Sequence, residues 1–153
     1  MIYSQFVQAG YRLVDVNDGP DVYVLNTCTV THIADSKARK ASRAARIRNP
    51  KTKIVVTGCY AQRDAISLRR LENVDLVIGN TGKGNLVETV LDSVALQDFP
   101  SRNVDRYSGI LVRRTRTMVK IQEGCNQICA YCIVPRVRGR ERSNSPAVIL
   151  RQI

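Results

Sequence analysis

Lys53-Ile-Val-Val-Thr-Gly58 is the stretch that decides the fold of this chain, and Cys59 follows it directly. Its apolar residues run continuously instead of alternating with polar ones, as is typical of strands buried on both faces of a parallel sheet. Two similar runs occur at residues 21–26 and 74–78. Helical patterns separate the three runs, so residues 1–97 are predicted to form an α/β fold with a doubly wound, largely parallel, flavodoxin-like sheet.

The longest predicted helix covers residues 30–49 and ends at Pro50. Alanines at helical spacing form a narrow stripe that would let this helix lie close on the sheet, and arginines project from roughly the opposite side. A solvated basic face is the default interpretation of those arginines, and a phosphate-facing one is the alternative. The stripe consists of Ala34, Ala38, Ala41 and Ala45, and the basic face of Arg39, Arg43 and Arg46.

Shorter helices and strands are predicted elsewhere in residues 1–97. The chain is predicted to open in a helix that Gly10 ends, followed by a strand over residues 11–15. Helices are also predicted over residues 64–71 and 86–96. Thr81-Gly-Lys83-Gly is too short to be a nucleotide-binding P-loop, since it lacks the first glycine and the hydroxyl after the lysine, and it is interpreted as a helix start.

Three polar or thiol-bearing residues come just after the predicted buried strands. They are Cys28, Cys59 and Asn80. Ligands of parallel sheets gather at the carboxyl ends of the strands, so the two distant cysteines are predicted to be neighbours in space. Inert buried thiols are the equally weighted alternative.

The second half of the chain contains a different cysteine pattern. A strand is predicted over residues 118–122, and it leads into Cys125-Asn-Gln-Ile-Cys129-Ala-Tyr-Cys132. Three thiols this close in sequence can wrap a soft metal centre with three thiolates. A tetrahedral zinc site needs a fourth ligand, and no Cys or His follows the motif. A four-iron cluster with one open iron is therefore favoured.

Two other interpretations of the motif stay open. Zinc could be completed by Cys28, Cys59 or His32 from far upstream. The three thiols could also pack simply as small apolar groups.

The composition points to a reduced compartment and an acidic partner. The net charge is +11, and residues 98–153 hold eleven Lys and Arg against four Asp and Glu. Such a basic excess suggests a polyanion, most simply nucleic acid. The five cysteines are an odd number, which fits a cytoplasmic protein with metal-bound thiols better than a disulfide framework. No apolar run reaches membrane-spanning length.

The cysteine loop, with Tyr131 before its last cysteine, resembles the signature of the radical S-adenosylmethionine enzymes. The wider stretch from Val119 to Pro135 resembles the methylthiotransferase branch, which attaches a methylthio group to RNA or to a ribosomal protein. Asn26-Thr-Cys28-Thr-Val-Thr31 and Thr57-Gly-Cys59-Tyr-Ala-Gln62 are similar to two cysteine motifs of that family's N-terminal domain. The resemblance therefore covers essentially the whole chain.

This resemblance implies two 4Fe-4S clusters and S-adenosylmethionine as cofactors. The first cluster would be held by Cys125, Cys129 and Cys132, and Tyr131 would pack near the adenine of S-adenosylmethionine. The auxiliary cluster, which carries the inserted sulfur, would be held partly by Cys28 and Cys59. The implied partners are tRNA, an electron donor and a sulfur source.

The chain also departs from the family pattern, and we expect it to be a fragment. The family's first strand with its first cysteine, most of the radical barrel and the C-terminal RNA-binding domain are missing, and Asn144 stands where arginine is usual. The predicted parts are a truncated N-terminal domain over residues 1–97, a linker over residues 98–117, and a truncated radical domain over residues 118–153. Activity of this chain alone is therefore in doubt.

The motifs around the first two cysteines decide between branches of the family. They look most like the branch that acts on threonylcarbamoyladenosine next to the tRNA anticodon. The alternatives are the isopentenyladenosine branch and a non-catalytic iron–sulfur or RNA-binding remnant. A relative that modifies a ribosomal protein fits these motifs and the basic charge less well.

Overall fold

A computed structural model describes residues 2–93 and 119–151 of the chain. The chain divides into two compact units, residues 1–110 and 111–153. The predicted linker, residues 98–117, lies outside the described residues. Within the described ranges, no helix is both long and apolar enough to cross a membrane.

Residues 2–93 of the first unit form a parallel sheet of three strands. These are β1, Val22–Thr27, β2, Lys53–Gly58, and β3, Leu76–Ile78. They lie in the order β1-β2-β3, and the β1–β2 register runs from Val22 opposite Lys53 to Thr27 opposite Gly58. β2 is central and is buried from Ile54 to its end. The predicted parallel sheet is confirmed.

Helices cover both faces of this sheet because neighbouring residues of β2 point in opposite directions. Ile54 and Val56 pack in one cluster with Ala38, while Val55 packs in a second cluster with Phe6. A doubly wound arrangement follows. The helices are α1, Ile2–Gln8, α2, His32–Arg48, α3, Cys59–Arg63, α4, Ala65–Arg69, and α5, Leu86–Ser93, with 3-10 turns at Val16–Asp18 and Asn80–Asn85.

The strand predicted over residues 11–15 is wrong. A strand needs a ladder partner, and none of the described strands pairs with this segment. Tyr11 instead packs edge-on against Phe6, with ring centroids 5.3 Å apart. At the other end of the segment, the Asp15 carboxylate accepts a 2.9 Å hydrogen bond from the backbone of Asn17 and caps the following 3-10 turn.

The alanine stripe of α2 is rotated from the predicted one. Ala38 and Ala45 are buried against the sheet as expected, but Ala34 and Ala41 are only half-buried. The same buried face includes two polar residues, Asp35 and Ser42. Both have side-chain partners beyond the helix: Arg63 for Asp35 and Asn73 for Ser42.

Several helix and strand boundaries differ from the predicted ones. Helix α3 was not predicted, and α4 begins only after Asp64, which caps it by accepting a 3.1 Å hydrogen bond from the Ser67 backbone. That hydrogen bond is the main reason why the pKa of Asp64 lies below its ordinary value of 3.8. Val74 closes a turn onto Leu71, so β3 starts later than predicted.

The described part of the second unit, residues 119–151, has two short antiparallel strands and two short helices. β4, Gln122–Glu123, pairs with β5, Arg142–Ser143. The predicted strand over residues 118–122 is therefore displaced: Met118 lies outside the described residues, and Val119–Ile121 precede the ladder. The helices are α6, Val134–Arg138, which was not predicted, and α7, Pro146–Leu150, which begins after Ser145 as predicted.

Candidate metal-binding cysteines

The register of the sheet places Cys28 and Cys59 after the same rung of the β1–β2 ladder. Thr27 lies opposite Gly58, and each cysteine is the next residue of its chain segment. The Thr27 hydroxyl donates a 2.6 Å hydrogen bond to the carbonyl oxygen of Thr57, which ties the two strand ends together. Cys28 is exposed, whereas Cys59 is buried. The predicted position of both cysteines at one sheet edge agrees with this register, and the proximity of their sulfur atoms stays a prediction.

Gly58 makes the close approach of these strand ends possible. Its φ is +102°, a backbone conformation that favours glycine. A Cβ at this position would lie 2.3 Å from the carbonyl oxygen of Thr27 and 2.7 Å from its nitrogen. The missing side chain lets β2 turn directly into α3, whose first residue is Cys59.

Asn80 also reaches this edge, as its place after β3 predicted. Its side-chain amide lies 3.8 Å from the Cys59 sulfur, and its backbone N–H donates a 2.9 Å hydrogen bond to the Gln62 side chain. Two nearby hydroxyls, those of Thr29 and Thr57, are buried without a hydrogen-bond partner among the described residues. The edge thus combines one buried thiol, one exposed thiol and several polar groups.

Sequence reasoning missed a charged network around Tyr60, the residue that follows Cys59. The guanidinium carbons of Arg39 and Arg63 lie 5.9 Å and 5.1 Å, respectively, from the centroid of the Tyr60 ring. Arg39 also donates a 2.8 Å hydrogen bond to the Tyr60 hydroxyl. Arg63 forms a 2.7 Å ion pair with the buried carboxylate of Asp35. The sequence signal was the helical spacing of Arg39 and Asp35 on α2, whose partners lie on another helix.

The second candidate site is the loop that contains the other three cysteines. Its beginning is fixed by the segment after α6: the Cys125 N–H donates to the Gly139 carbonyl at 3.2 Å, and the Glu141 N–H donates to the Asn126 side chain at 3.2 Å. Gly124 lies so close to this segment that a Cβ would be 2.1 Å from the Arg140 carbonyl oxygen. The loop is thus anchored where it starts.

Beyond this anchor, every residue of the loop from Asn126 to Tyr131 is exposed. Cys125 and Cys132 are half-buried and Cys129 is exposed, and all three are free thiols. A 3.1 Å hydrogen bond from the Cys132 N–H to the Cys129 carbonyl closes a turn between the last two. Tyr131 has 94% of its surface exposed.

The donor type of this loop suits an iron–sulfur cluster, since such clusters are held by cysteine thiolates. Within the described residues, no three Cys, His, Asp or Glu side chains converge closely enough to hold a metal ion. Gathering Cys125, Cys129 and Cys132 around one cluster would displace no buried side chain between them, because the loop packs none. The residues therefore fit a cluster by chemistry and accessibility, and the arrangement of the thiols would form on binding.

The sequence of this chain is similar to a family model and to several known proteins. Residues 1–79 match the model of the Uncharacterized protein family UPF0004. The chain is 38% identical to a threonylcarbamoyladenosine tRNA methylthiotransferase of Aquifex aeolicus, over 100% of this chain and 40% of that protein. The protein of the same name in Bacillus subtilis is 37% identical over 99% of this chain and 36% of its own length.

A relative with a different name matches to a similar degree. The tRNA-2-methylthio-N(6)-dimethylallyladenosine synthase of Syntrophobacter fumaroxidans is 38% identical over 94% of this chain and 34% of its own length. The chain thus spans at most 40% of the length of these relatives.

Proposed function

This chain belongs to the Uncharacterized protein family UPF0004, and we propose that it is part of a radical S-adenosylmethionine methylthiotransferase acting on threonylcarbamoyladenosine in tRNA. The observation that carries the proposal is the 38% identity to the Aquifex aeolicus enzyme over the full length of this chain. Because the chain spans only part of that enzyme, the proposal assigns no turnover to these residues by themselves. The implied location is the cytoplasm.

Cys125, Cys129 and Cys132 would hold the first 4Fe-4S cluster. Such a cluster, when bound with one open iron, supplies electrons to S-adenosylmethionine. The role of the chain is to bind and shield it: the Gly139 carbonyl and the Asn126 side chain fix the start of the loop, and the exposed residues between the cysteines can then close over it. Tyr131, which is almost fully exposed, would then be available to stack on the adenine.

Cys28 and Cys59 would contribute to the auxiliary cluster that carries sulfur. The rung formed by Thr27 and Gly58 supports this role, because it presents both cysteines at one sheet edge. The side-chain amide of Asn80 lies 3.8 Å from the Cys59 sulfur, so a polar group of the same edge also contacts this candidate ligand. The electron donor, the sulfur source, S-adenosylmethionine and tRNA are the partners that this chemistry requires.

The second candidate is the isopentenyladenosine branch of the same chemistry. The specific observation in its favour is the 38% identity to the Syntrophobacter fumaroxidans synthase. Both branches share the cysteines and differ in the nucleoside that they modify. A remnant that binds iron or RNA without catalysis is the rival from another class, and it would keep the clusters and lose the modification.

A segment exchange tests which nucleoside is modified. The matching segment of the Bacillus subtilis relative is replaced by this chain in cells that lack their own enzyme, and tRNA nucleosides are measured by mass spectrometry. We expect methylthio-threonylcarbamoyladenosine to return, and to be lost again in Cys59→Ala. Return of the methylthio group only on isopentenyladenosine would favour the second candidate.

Iron loading tests the cluster ligands directly. After anaerobic reconstitution, the visible absorbance of the cluster on Cys125, Cys129 and Cys132 should be lost in Cys129→Ala, because one of its three thiolate ligands is removed. Exchange of the exposed residue between the cysteines, Ile128→Ala, is the matched control and should leave it unchanged. Uptake of one zinc ion and no iron by the wild-type chain would contradict the proposal.

A further inference from the structure

The outward face of α2 carries a row of cations that the candidate metal site does not use. Lys37, Lys40 and Arg43 follow one another at three-residue spacing on this helix, and all three are exposed. Residues three and four apart on a helix share a face, so these side chains form one surface. Arg48, in the last turn, lies about three turns after Lys37 and on the same side of the helix as that residue. We call Lys37, Lys40, Arg43 and Arg48 the α2 basic row.

None of the four cations has an ionic partner among the described residues. The other two arginines of α2 differ: Arg46 is paired with Asp75, and Arg39 donates to Tyr60. The one acidic residue of the helix, Asp35, is buried on the opposite side and is paired with Arg63. The charge of the α2 basic row is therefore not neutralised by the part of the fold that is described.

The row is also too long for a compact anion. From Lys37 to Arg48 the helix rises roughly 16 Å. Exposed isoleucines lie on the same side near both ends, with Ile33 exposed by 67% and Ile47 by 73%. Cations spread along one exposed side of a helix, with aliphatic side chains beside them, suit a chain of phosphates with sugars between them.

Position connects this row to the candidate site. Helix α2 begins four residues after Cys28, so its first turn lies at the carboxyl edge of the sheet, and the basic row runs away from that edge. We propose that the α2 basic row binds the phosphate backbone of the substrate tRNA and so guides a nucleotide toward the edge that holds Cys28 and Cys59. This inference rests on the proposed function, since it takes tRNA as the polyanion.

Paired charge-removal variants of the full chain test the proposal. Lys40→Gln with Arg43→Gln removes two charges from the row, and Arg69→Gln with Arg70→Gln removes two exposed charges at the end of α4. Binding to unmodified tRNA transcript is titrated over a range of salt concentrations. Each phosphate contact adds roughly 0.7 to 0.9 to the slope of log affinity against log salt.

We expect the α2 pair to lower that slope by roughly 1.5 and the affinity at low salt by at least roughly tenfold, while the α4 pair changes affinity less than about threefold. A charge reversal, Lys40→Glu with Arg43→Glu, should weaken binding further. Unchanged thermal unfolding of each variant checks that the fold is kept.

Three outcomes would overturn the inference. Equal losses from the α2 and α4 pairs would mean that only net charge matters, and the proposed function would stand. Displacement of tRNA by polyglutamate as effective as by unlabelled tRNA would assign the row to acidic partners in general. Absence of any tRNA binding by the wild-type chain at low salt would overturn the inference about the row, while the segment exchange tests the proposed function separately.

Discussion

The two cysteine sites differ in how much of their structure is built before any ligand binds. Cys28 and Cys59 follow strands whose core is packed on both faces of the sheet, and Ile54 to Val56 are almost fully buried. The loop with Cys125, Cys129 and Cys132 lies in a unit whose strands have two residues each, and Val137 is the one buried residue among residues 119–151. One site is held by a core, and the other by a few backbone hydrogen bonds.

This difference teaches that the same ligand type can be presented in two ways. At the sheet edge, burial of apolar surface fixes the backbone before the thiols are used. In the loop, little apolar surface is buried between the anchors, so the free energy of binding the proposed cluster would order these residues. The following experiments test this contrast, from the largest expected effect to the smallest.

Cluster loading should order the loop and leave the sheet almost unchanged. We expect amide exchange in residues 125–132 to slow by at least roughly tenfold after anaerobic reconstitution, and exchange in β2 to change by less than about twofold. Hydrogen exchange followed by mass spectrometry measures both segments in one sample. Cys129→Ala is the control, and an equal slowing in that variant would show that the loop is ordered by something other than its thiols.

Adding a methyl group at the glycine before each site should break the two sites to different extents. Gly58→Ala introduces strain and a collision with the Thr27 backbone, so we expect about 4 kcal/mol lower free energy of unfolding. Gly124→Ala collides with Arg140, but it should leave the melting of the sheet unchanged, because it lies in the other unit. Thermal unfolding monitored by circular dichroism separates these outcomes.

Gly139 supplies the matched control for Gly124. Its φ is +78°, like that of Gly124, but a Cβ there would meet no atom within 4 Å. Gly139→Ala should therefore carry the backbone strain alone, about 1 to 2 kcal/mol, and keep cluster loading. Equal losses of bound iron in both alanine variants would show that backbone conformation, and not the close contact, matters at Gly124.

Removing Arg63 should destabilise the first unit, because Arg63 forms the ion pair with the buried carboxylate of Asp35. Asp35 is buried and one of its carboxylate oxygens has no hydrogen bond within the described residues, so loss of its ion pair leaves a buried charge uncompensated. We expect Arg63→Ala to lower the free energy of unfolding by roughly 2 kcal/mol, less than for a fully buried pair because Arg63 is partly exposed. Denaturant titration measures this change. The double variant Asp35→Asn with Arg63→Met should recover more than half of it.

The smallest effect should come from the pKa of Asp64. A carboxyl group whose pKa is lowered in the folded state stabilises that state above the unfolded pKa, and the contribution is lost as pH falls through the folded pKa. Asp64→Ser keeps a capping oxygen and removes the titration. The stability of the two proteins should therefore differ most near neutral pH and converge below about pH 4. A difference that grows toward acidic pH would contradict this sign.

The sheet could be predicted from the sequence because its strands are continuous apolar runs that lie between helical patterns. The strand Lys53–Gly58 has the predicted bounds, and Cys59 lies at the predicted carboxyl edge of the sheet. The segment over residues 11–15 could not be judged in this way, since a short run with β-forming residues becomes a strand only beside a partner. Pairing is a tertiary property, and a single segment does not encode it.

The side-chain contacts near the candidate sites also could not be predicted from the sequence patterns. Arg39 and Asp35 were visible on α2, but their partners Tyr60 and Arg63 lie on α3, a helix of five residues that is too short for a periodic signal. In the second unit, β5 and α6 were missed for the same reason. Short elements are fixed by contacts across the fold and leave little trace in local periodicity.

The rung that joins Thr27 to Gly58 has a consequence for how the chain can change in length. This rung positions both Cys28 and Cys59. The length of the helix and turn that connect β1 to β2 therefore does not determine the distance between the two cysteines. Residues inserted in the turn at Asn49–Thr52 would bulge into solvent at the opposite end of the sheet. A residue inserted within β1, by contrast, would shift Cys28 by one step and turn it to the other face.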